Sequence, residues 1–437
     1  FTLPINPNVK VRPAAHLVDA IATYLQNYKE ALHRMKALAA NEPRSFTQEA
    51  NIHCAYCDGA HHQVGFPSLD FQVHNSWLFF PFHRWYQYFN EKILGSLIKD
   101  LDPNFSLPFW NWDSPNGMPM PSMYTDPKSP LYDSLRNANH KPPKLVDLDY
   151  NGFEDQSSTQ QQISTNLNTM YRQLVSSSKT PTLFFGSPYR AGEDSDPGRG
   201  TVENIPHVPV HIWTGDNTQP NFEDTGTLYA AARDPIFYSH HANVDRMWSM
   251  WKTLGGKRND IKDPDWFKSG FLFYDANKNL VRVKAKDCLD ARKLGYVYQD
   301  VDVPWLEAKP TPRFQRVVAS SFRSGGAGAA LAAETSKETN QITKFPLLLD
   351  SSASVIVKRP KKGRTKKEKE EKEEVLVIEG IEFERDLGVK FDVYINDEYD
   401  VPGGPSKTEF AGSFVSVPHK HKHKHGKMKT NLRLGIT

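Results

Sequence analysis

The chain has 437 residues, enough for two or three domains and for a first domain with a large core. Its 54 Lys and Arg nearly balance 51 Asp and Glu, a net of +3, and no run of eighteen apolar residues occurs. Neither a basic footprint for nucleic acid nor a membrane-spanning helix is expected. Because the sequence starts at Phe1 and not Met, any targeting segment is expected to lie outside it. Nine Trp predict a core dense in rings. The cysteines, Cys54, Cys57 and Cys288, are too few and too odd in number for a disulfide scaffold.

Residues 1–12 read as extended. Pro13 to about Asn41 reads as one long helix, because Leu17, Ile21, Tyr24, Tyr28, Leu32 and Met35 keep a helical period. A short helix follows from Ser45 to about His53. Next comes Cys54-Ala-Tyr-Cys57, with no βαβ pattern for a redox pair and no second Cys pair for a zinc knuckle. A helix capped by Ser76 is predicted to run to about Lys99. His74 and His83 are nine residues apart, roughly 900° around a straight helix, and so face opposite ways. His74 is therefore placed on the entry loop and His83 inside the helix, with Pro81 relaxing the first turns. Residues 103–130 read as loop, with Phe109-Trp-Asn-Trp112 turned to the core. A polar helix is expected over 155–178. His207-Val-Pro-Val-His211 sets two imidazoles on one helical face. From Asp234 to Trp251 a Pro-led helix puts His241, Asp245 and Trp248 on one face. Loops and short strands follow, through Tyr296-Val-Tyr298 to Pro304-Trp305.

Residues 319–345 are rich in Ser, Gly, Ala and Thr and read as a protease-accessible linker. The expected domains are thus 1–318, mainly α, and 346–437, mainly β. Ser354–Lys358, Glu374–Ile381 and Lys390–Asn396 alternate as half-buried antiparallel strands. The charged run from Lys358 to Glu374 reads as a solvated loop. In His419 to His425, His and Lys alternate; an exposed strand is preferred there to a metal-binding strip.

His53, His74 and His83 form one candidate ligand set, and His207, His211 and His241 a second. Six neutral imidazoles with no carboxylate favour copper or zinc. Four helices bringing ligands to one centre is how bundles build metal sites. His207 and His211 as a buried, hydrogen-bonded pair is the alternative. Glu203, four residues before His207, fits a site with a metal-bound water.

The segments His53-Cys-Ala-Tyr-Cys57, Phe82-His83-Arg84, His207-Val-Pro-Val-His211 and His240-His241-Ala-Asn-Val-Asp245-Arg-Met-Trp resemble the plant polyphenol oxidases. These are type-3 copper enzymes that include catechol oxidase, tyrosinase and aurone synthase. Asp263-Pro-Asp-Trp266 and Lys390-Phe-Asp-Val393 resemble two later signatures of that family. The resemblance implies a four-helix bundle around a dicopper site, with a C-terminal antiparallel β-sandwich that covers it until the linker is cut. It implies two copper ions, one on each three-histidine set, with His240 not a ligand. It also implies a thioether joining Cys57 to His74, a structural Cys288, and Glu203 as the residue that positions a water and helps deprotonate phenol. Cys54 pairs in the family with an upstream cysteine that this sequence lacks.

Val208, Ile212 and Leu228 occupy positions that border the substrate in that family; Asn at the first of them goes with monophenol hydroxylation, and Phe at the third with a gate. Val208 inclines the reading to oxidation of o-diphenols to o-quinones, with tyrosinase or aurone synthase as alternatives. Asp245 is the candidate for fixing imidazole tautomers, and Arg12 with Tyr296 and Tyr298 resembles a structural clasp. The expected partners are O2 and small phenols, with the protein a monomer or weak oligomer in the thylakoid lumen of the plastid. A reversible O2 carrier is the competing class. A zinc hydrolase is disfavoured, since hydrolytic zinc sites usually mix carboxylate or Cys with His.

Overall fold

In the computed structural model, helices are set by capping residues and apolar faces along the first three hundred residues. In chain order they are α1 (Ala15–Val18), α2 (Ala22–Ala37), α3 (Phe46–Cys57), α4 (Phe79–Leu97), α5 (Thr159–Tyr171), α6 (Pro181–Phe185), α7 (Val208–Thr214), α8 (Ile236–Thr253), α9 (Pro264–Lys268) and α10 (Lys366–Glu371). The strands are β1 (Lys10–Arg12), β2 (His61–Gln63), β3 (Phe66–Phe71), β4 (Gly270–Tyr274), β5 (Leu280–Lys284), β6 (Tyr296–Tyr298), β7 (Val375–Glu384), β8 (Val389–Tyr394), β9 (Phe410–Ser416) and β10 (Lys427–Gly435). The structure describes all residues except 155, 314–344, 362, 398–402 and 420–425. They fall into two compact units, Phe1–Arg313 with Glu373–Thr437, and Phe314–Lys372. The linker expected over 319–345 lies, but for its last residue, outside the described residues. Among those described, no helix is long and apolar enough to cross a membrane.

The helix expected from Pro13 to Asn41 is two helices. Its break at Asp19 has a long-range cause: the Asp19 carboxylate accepts from the Ser122 and Met123 amides at 2.6 Å each, and Ile21 turns extended. Ser45 caps α3, its Oγ accepting from Gln48 N–H at 3.2 Å. The cap expected at Ser76 falls instead to Leu78, which makes no side-chain cap bond; the Ser76 hydroxyl accepts from Leu78 N–H just ahead of the helix, and His74 stays on the entry loop. The polar helix runs as α5, with a capping box between Ser158 and Gln161, and then widens over Arg172–Ser176. Trp85, Trp110, Trp112, Trp213, Trp248, Trp251, Trp266 and Trp305 are fully buried and wall the helices in.

β1 pairs in parallel with β6, Arg12 opposite Tyr298. The Arg12 guanidinium lies 3.6 Å from the Tyr296 ring centroid and donates to the Tyr298 hydroxyl at 3.2 Å, the clasp the sequence resembled. Past residue 373, β7 pairs antiparallel with β10, and β8 with β9. The two ribbons enclose a small core of Ala411, Phe414, Leu432 and Leu434. β9 is buried on both faces. Phe414 points into that core, whereas Val415 and the following Val417 belong to the core of the helical part.

The strand expected over 354–358 stays irregular, with Ile356 and Val357 exposed. In that second unit the charged run carries α10, capped by Thr365 with Glu368 and solvent-facing throughout. Of the histidine strip only His419 is described, and it is buried, not exposed. Its Nδ1 meets the Val417 carbonyl at 2.9 Å and its amide donates to the Arg385 carbonyl. His421, His423 and His425 lie outside the described residues.

Candidate metal centre

α3, α4, α7 and α8 each bring histidine to the middle of the helical part. His53 comes from α3, His83 from α4, and His211 and His241 from α7 and α8. His207 caps α7 after a kink at Ile205, and its φ/ψ stays helical, so the i, i+4 pair survives the junction. All six imidazoles are buried. The ligand atoms of His53, Cys57, His74 and His83 lie within 4.8 Å of one another, as do those of His207, His211, His240 and His241. Phe79 and Phe237 wall the two groups, Phe79 at 4.7 Å from the His207 ring and Phe237 at 4.2 Å from His241. The two groups face one another directly, the His83 and His241 rings stacking at 4.3 Å.

Tautomers are fixed by backbone. His53 Nδ1 donates to the Leu228 carbonyl at 2.9 Å, His83 Nδ1 to Phe79 at 2.8 Å, and His207 Nδ1 to Glu203 at 3.0 Å. His211 is held in the same way by the Thr225 backbone. Each of these bonds leaves Nε2 as a lone pair. Burial holds His83 and His211 down to about 3, so both are neutral at physiological pH. Nε2 of His211 nevertheless lies 3.1 Å from Nε2 of His207 and 3.2 Å from that of His241. The His207 and His211 lone pairs, facing each other at 3.1 Å, repel unless a cation sits between them. On the other side, Nε2 of His53, His74 and His83 are buried without a partner. Two three-nitrogen donor sets of this kind fit two copper ions.

His240 is the fourth histidine of the second group, and its chemistry separates it. Trp112 Nε1–H donates to His240 Nδ1 at 3.1 Å, so the neutral ring carries its proton on Nε2 and offers no free lone pair there. Cys57 is fully buried among the first group, and no disulfide joins the three cysteines.

Asp245 does not hold an imidazole. Its carboxylate accepts from Arg84 Nε at 2.5 Å, from Tyr296 at 2.7 Å and from Tyr298 at 2.5 Å, with Arg12 at 3.8 Å. Burial pushes it up, but Arg84 and Arg12 prevail and hold it below its usual value. One turn after His241 it points to the clasp. The backbone carbonyls do the work expected of it.

Glu203, whose backbone carbonyl holds His207, is fully buried and is not among the residues lining the neighbouring cavity. Its Oε1 accepts from Asn75 N–H at 2.6 Å, and Oε2 is buried without a partner. Burial pushes it up to about 8, with Arg199 pulling the other way. The adjoining cavity, about 10 Å³, is lined by His74, His207, His211, Val208, Leu228 and Val417, together with Arg199, Thr225 and Thr227. That is room for one water and not for a phenol. Val208 and Leu228 thus line it as expected. Ile212 is half-buried against the core and does not line it. Val417 and Arg199 were not foreseen. Nothing local marks Val417, which arrives from the far end of the chain.

Residues 43–254 match the common central domain of tyrosinase, 260–311 the polyphenol oxidase middle domain, and 345–437 the chloroplastic polyphenol oxidase C-terminal domain. The chain is 63% identical to "Polyphenol oxidase, chloroplastic" of Malus domestica, over 100% of this chain and 73% of that protein. It is 54% identical to aureusidin synthase of Antirrhinum majus, over 95% of this chain and 73% of that one. The solved structure of latent apple tyrosinase superposes with a TM-score of 0.92 at 61% identity, covering 100% of this chain and 91% of that chain.

Proposed function

The chain belongs to the plant polyphenol oxidases, type-3 dicopper proteins of the tyrosinase fold, and from that premise we propose that it oxidises o-diphenols to o-quinones as O2 is reduced to water. Two catechols give two quinones per O2, and two waters form. His53, His74 and His83 would hold one copper, and His207, His211 and His241 the other; the bound pair supplies O2 binding and electron transfer. Cys57, buried beside His74, would tether that loop-borne ligand by a thioether. Glu203 would orient the phenol proton through Oε2, while Asn75 keeps the carboxyl in place.

The choice of diphenol rests on Val208. It lines the cavity beside His207 with an aliphatic side chain, so position 208 itself offers no polar group to hold a water against Glu203. A monophenol needs that assisted deprotonation more than a catechol does. The domains would be 1–318 for catalysis, 319–345 for cleavage and 346–437 for the cover, whose Val417 lines the cavity. Relatives named chloroplastic support a plastid enzyme, and we place it in the thylakoid lumen.

O2 uptake by the copper-loaded chain, before and after limited proteolysis, tests both parts, with tyramine, a catechol and a chalcone compared side by side. Catechol uptake that rises on cleavage is expected. Tyramine hydroxylation without a lag would overturn the reading of Val208, and equal rates before and after cleavage would overturn the cover.

A further inference from the structure

Arg199 lines the same cavity as His74, His207 and His211. Nε donates to Asn75 Oδ1, and Asn75 Nδ2 in turn donates to Asp196 Oδ1 at 2.6 Å. The two forward nitrogens reach the C-terminal segment: Nη1 donates to the Val415 carbonyl and Nη2 to Ser416 Oγ at 3.2 Å. These two oxygens belong to the stretch that delivers Val417 into the cavity. When the stretch withdraws, Asn75 still holds Nε, and both forward nitrogens lose their acceptors.

A buried guanidinium in that state calls for an anion. Its planar fork matches the two oxygens of a carboxylate. The charged groups around it are Asp196 and Glu203 on the catalytic side. On the other side are Arg385 and His419, which share Asp196 with it and leave with the C-terminal segment. Neither Asp196, held by Asn75 and by Ser195 Oγ at 2.9 Å, nor Glu203, whose Oε1 takes the Asn75 amide, accepts from a forward nitrogen of Arg199. Both forward nitrogens are therefore open to a substrate once the strand leaves.

We propose that Arg199 is the carboxylate-binding residue of the opened site, with the Val415 carbonyl and the Ser416 hydroxyl standing where the two oxygens of a substrate carboxylate go. The enzyme then favours catechols whose side chain ends in a carboxylate. This rests on the o-diphenol reading above and names the substrate class within it.

The test uses the full chain, copper-loaded and nicked by limited proteolysis. KM is measured for 3-(3,4-dihydroxyphenyl)propanoate, 4-methylcatechol and dopamine, an anion, a neutral molecule and a cation. The expected KM of the anion is about tenfold or more below that of the neutral catechol. Arg199→Gln brings the anion-to-neutral KM ratio to near one, and Arg199→Lys restores part of the preference. In parallel, the Kd of the non-oxidisable 3-phenylpropanoate is compared with that of 3-phenylpropanamide, with the carboxylate expected to bind about tenfold tighter. An unchanged chain with no preference for the anion, or a Gln variant that shifts all three substrates alike, overturns the subsite and leaves catechol oxidation standing. If none of the three is oxidised, the o-diphenol reading fails, and the Kd pair alone decides for or against Arg199. A variant that does not fold leaves the unchanged chain's own ratio as the deciding number.

Discussion

Four imidazoles owe their orientation to backbone carbonyls. For His83 and His207 the acceptor is four residues back, at Phe79 and Glu203, so helical register supplies it and the sequence contains it. For His53 the acceptor is Leu228, 175 residues away, and no local pattern announces that. The same position was legible as a wall of the cavity and illegible as a tautomer lock. At Val208 the side chain is the whole argument. Val208→Asn is expected to raise the ratio of tyramine to catechol turnover in the cleaved chain by about tenfold or more, read as O2 uptake on the two substrates. Glu49 makes a separate, pH-dependent prediction. Burial pushes its carboxyl up to about 7, with Asn90 Nδ2 donating at 2.9 Å and pulling the other way. The fold therefore holds the proton that the unfolded chain releases near 4.3, and stability falls as pH rises from there through 7. The loss is up to ~3 kcal/mol above pH 7. Glu49→Gln should thus raise Tm by more at pH 8 than at pH 5, and calorimetry at the two values checks it.

Among the elements, those with a cap and an apolar period were readable, and those ended by a distant contact were not. Ser45 marks the start of α3 through its own hydroxyl, so the helix that carries His53 began where predicted. Ser45→Ala should cost about 1 kcal/mol and lower Tm by about 2 °C, with His53 still in register. By contrast, Asp19 interrupts an unbroken helical pattern because its carboxylate is taken up by the 122–123 amides, a partner a hundred residues on. The placement of His74 followed from geometry and a capping signal: two ligands half a turn out of phase need a bend between them or one outside the helix, and Ser76 favoured His74 outside. Alternation also found β7 and β8, each half-buried. It said nothing of β9, whose two faces are covered by different cores and whose composition shows no period-two contrast.

In the whole molecule, the C-terminal strands are fastened to the helical part by side chains from loops and helix ends. Asn204 acts as a piece of strand, donating to the Ser413 carbonyl at 2.5 Å and accepting from Val415 N–H at 3.2 Å. Lys390 reaches Asp149 at 3.3 Å. Arg172 lies farther from the metal centre, at the widened end of α5. Its Nε donates to the Pro405 carbonyl at 2.7 Å, its Nη2 to the Lys407 carbonyl, and its guanidinium lies 5.3 Å from the Phe410 ring. Burial lowers it to about 10, so it remains a cation at physiological pH. Two charged hydrogen bonds, one of them to a Lys407 carbonyl that also accepts from Phe410 N–H at 3.2 Å, are worth roughly 2 kcal/mol together after solvent competition. Arg172→Ala should raise the open fraction of the uncut chain about 30-fold, since each 1.4 kcal/mol is a factor of ten. Because Arg172 touches neither histidine set nor the cavity, the variant separates latching from catalysis. Uncut, its catechol oxidation should climb toward the rate of the cleaved chain. After cleavage it should match the unchanged protein. An uncut variant as slow as the parent would mean that the strand is held by its own packing, Val415 and Val417 in the helical core, and that these clamps only set its register.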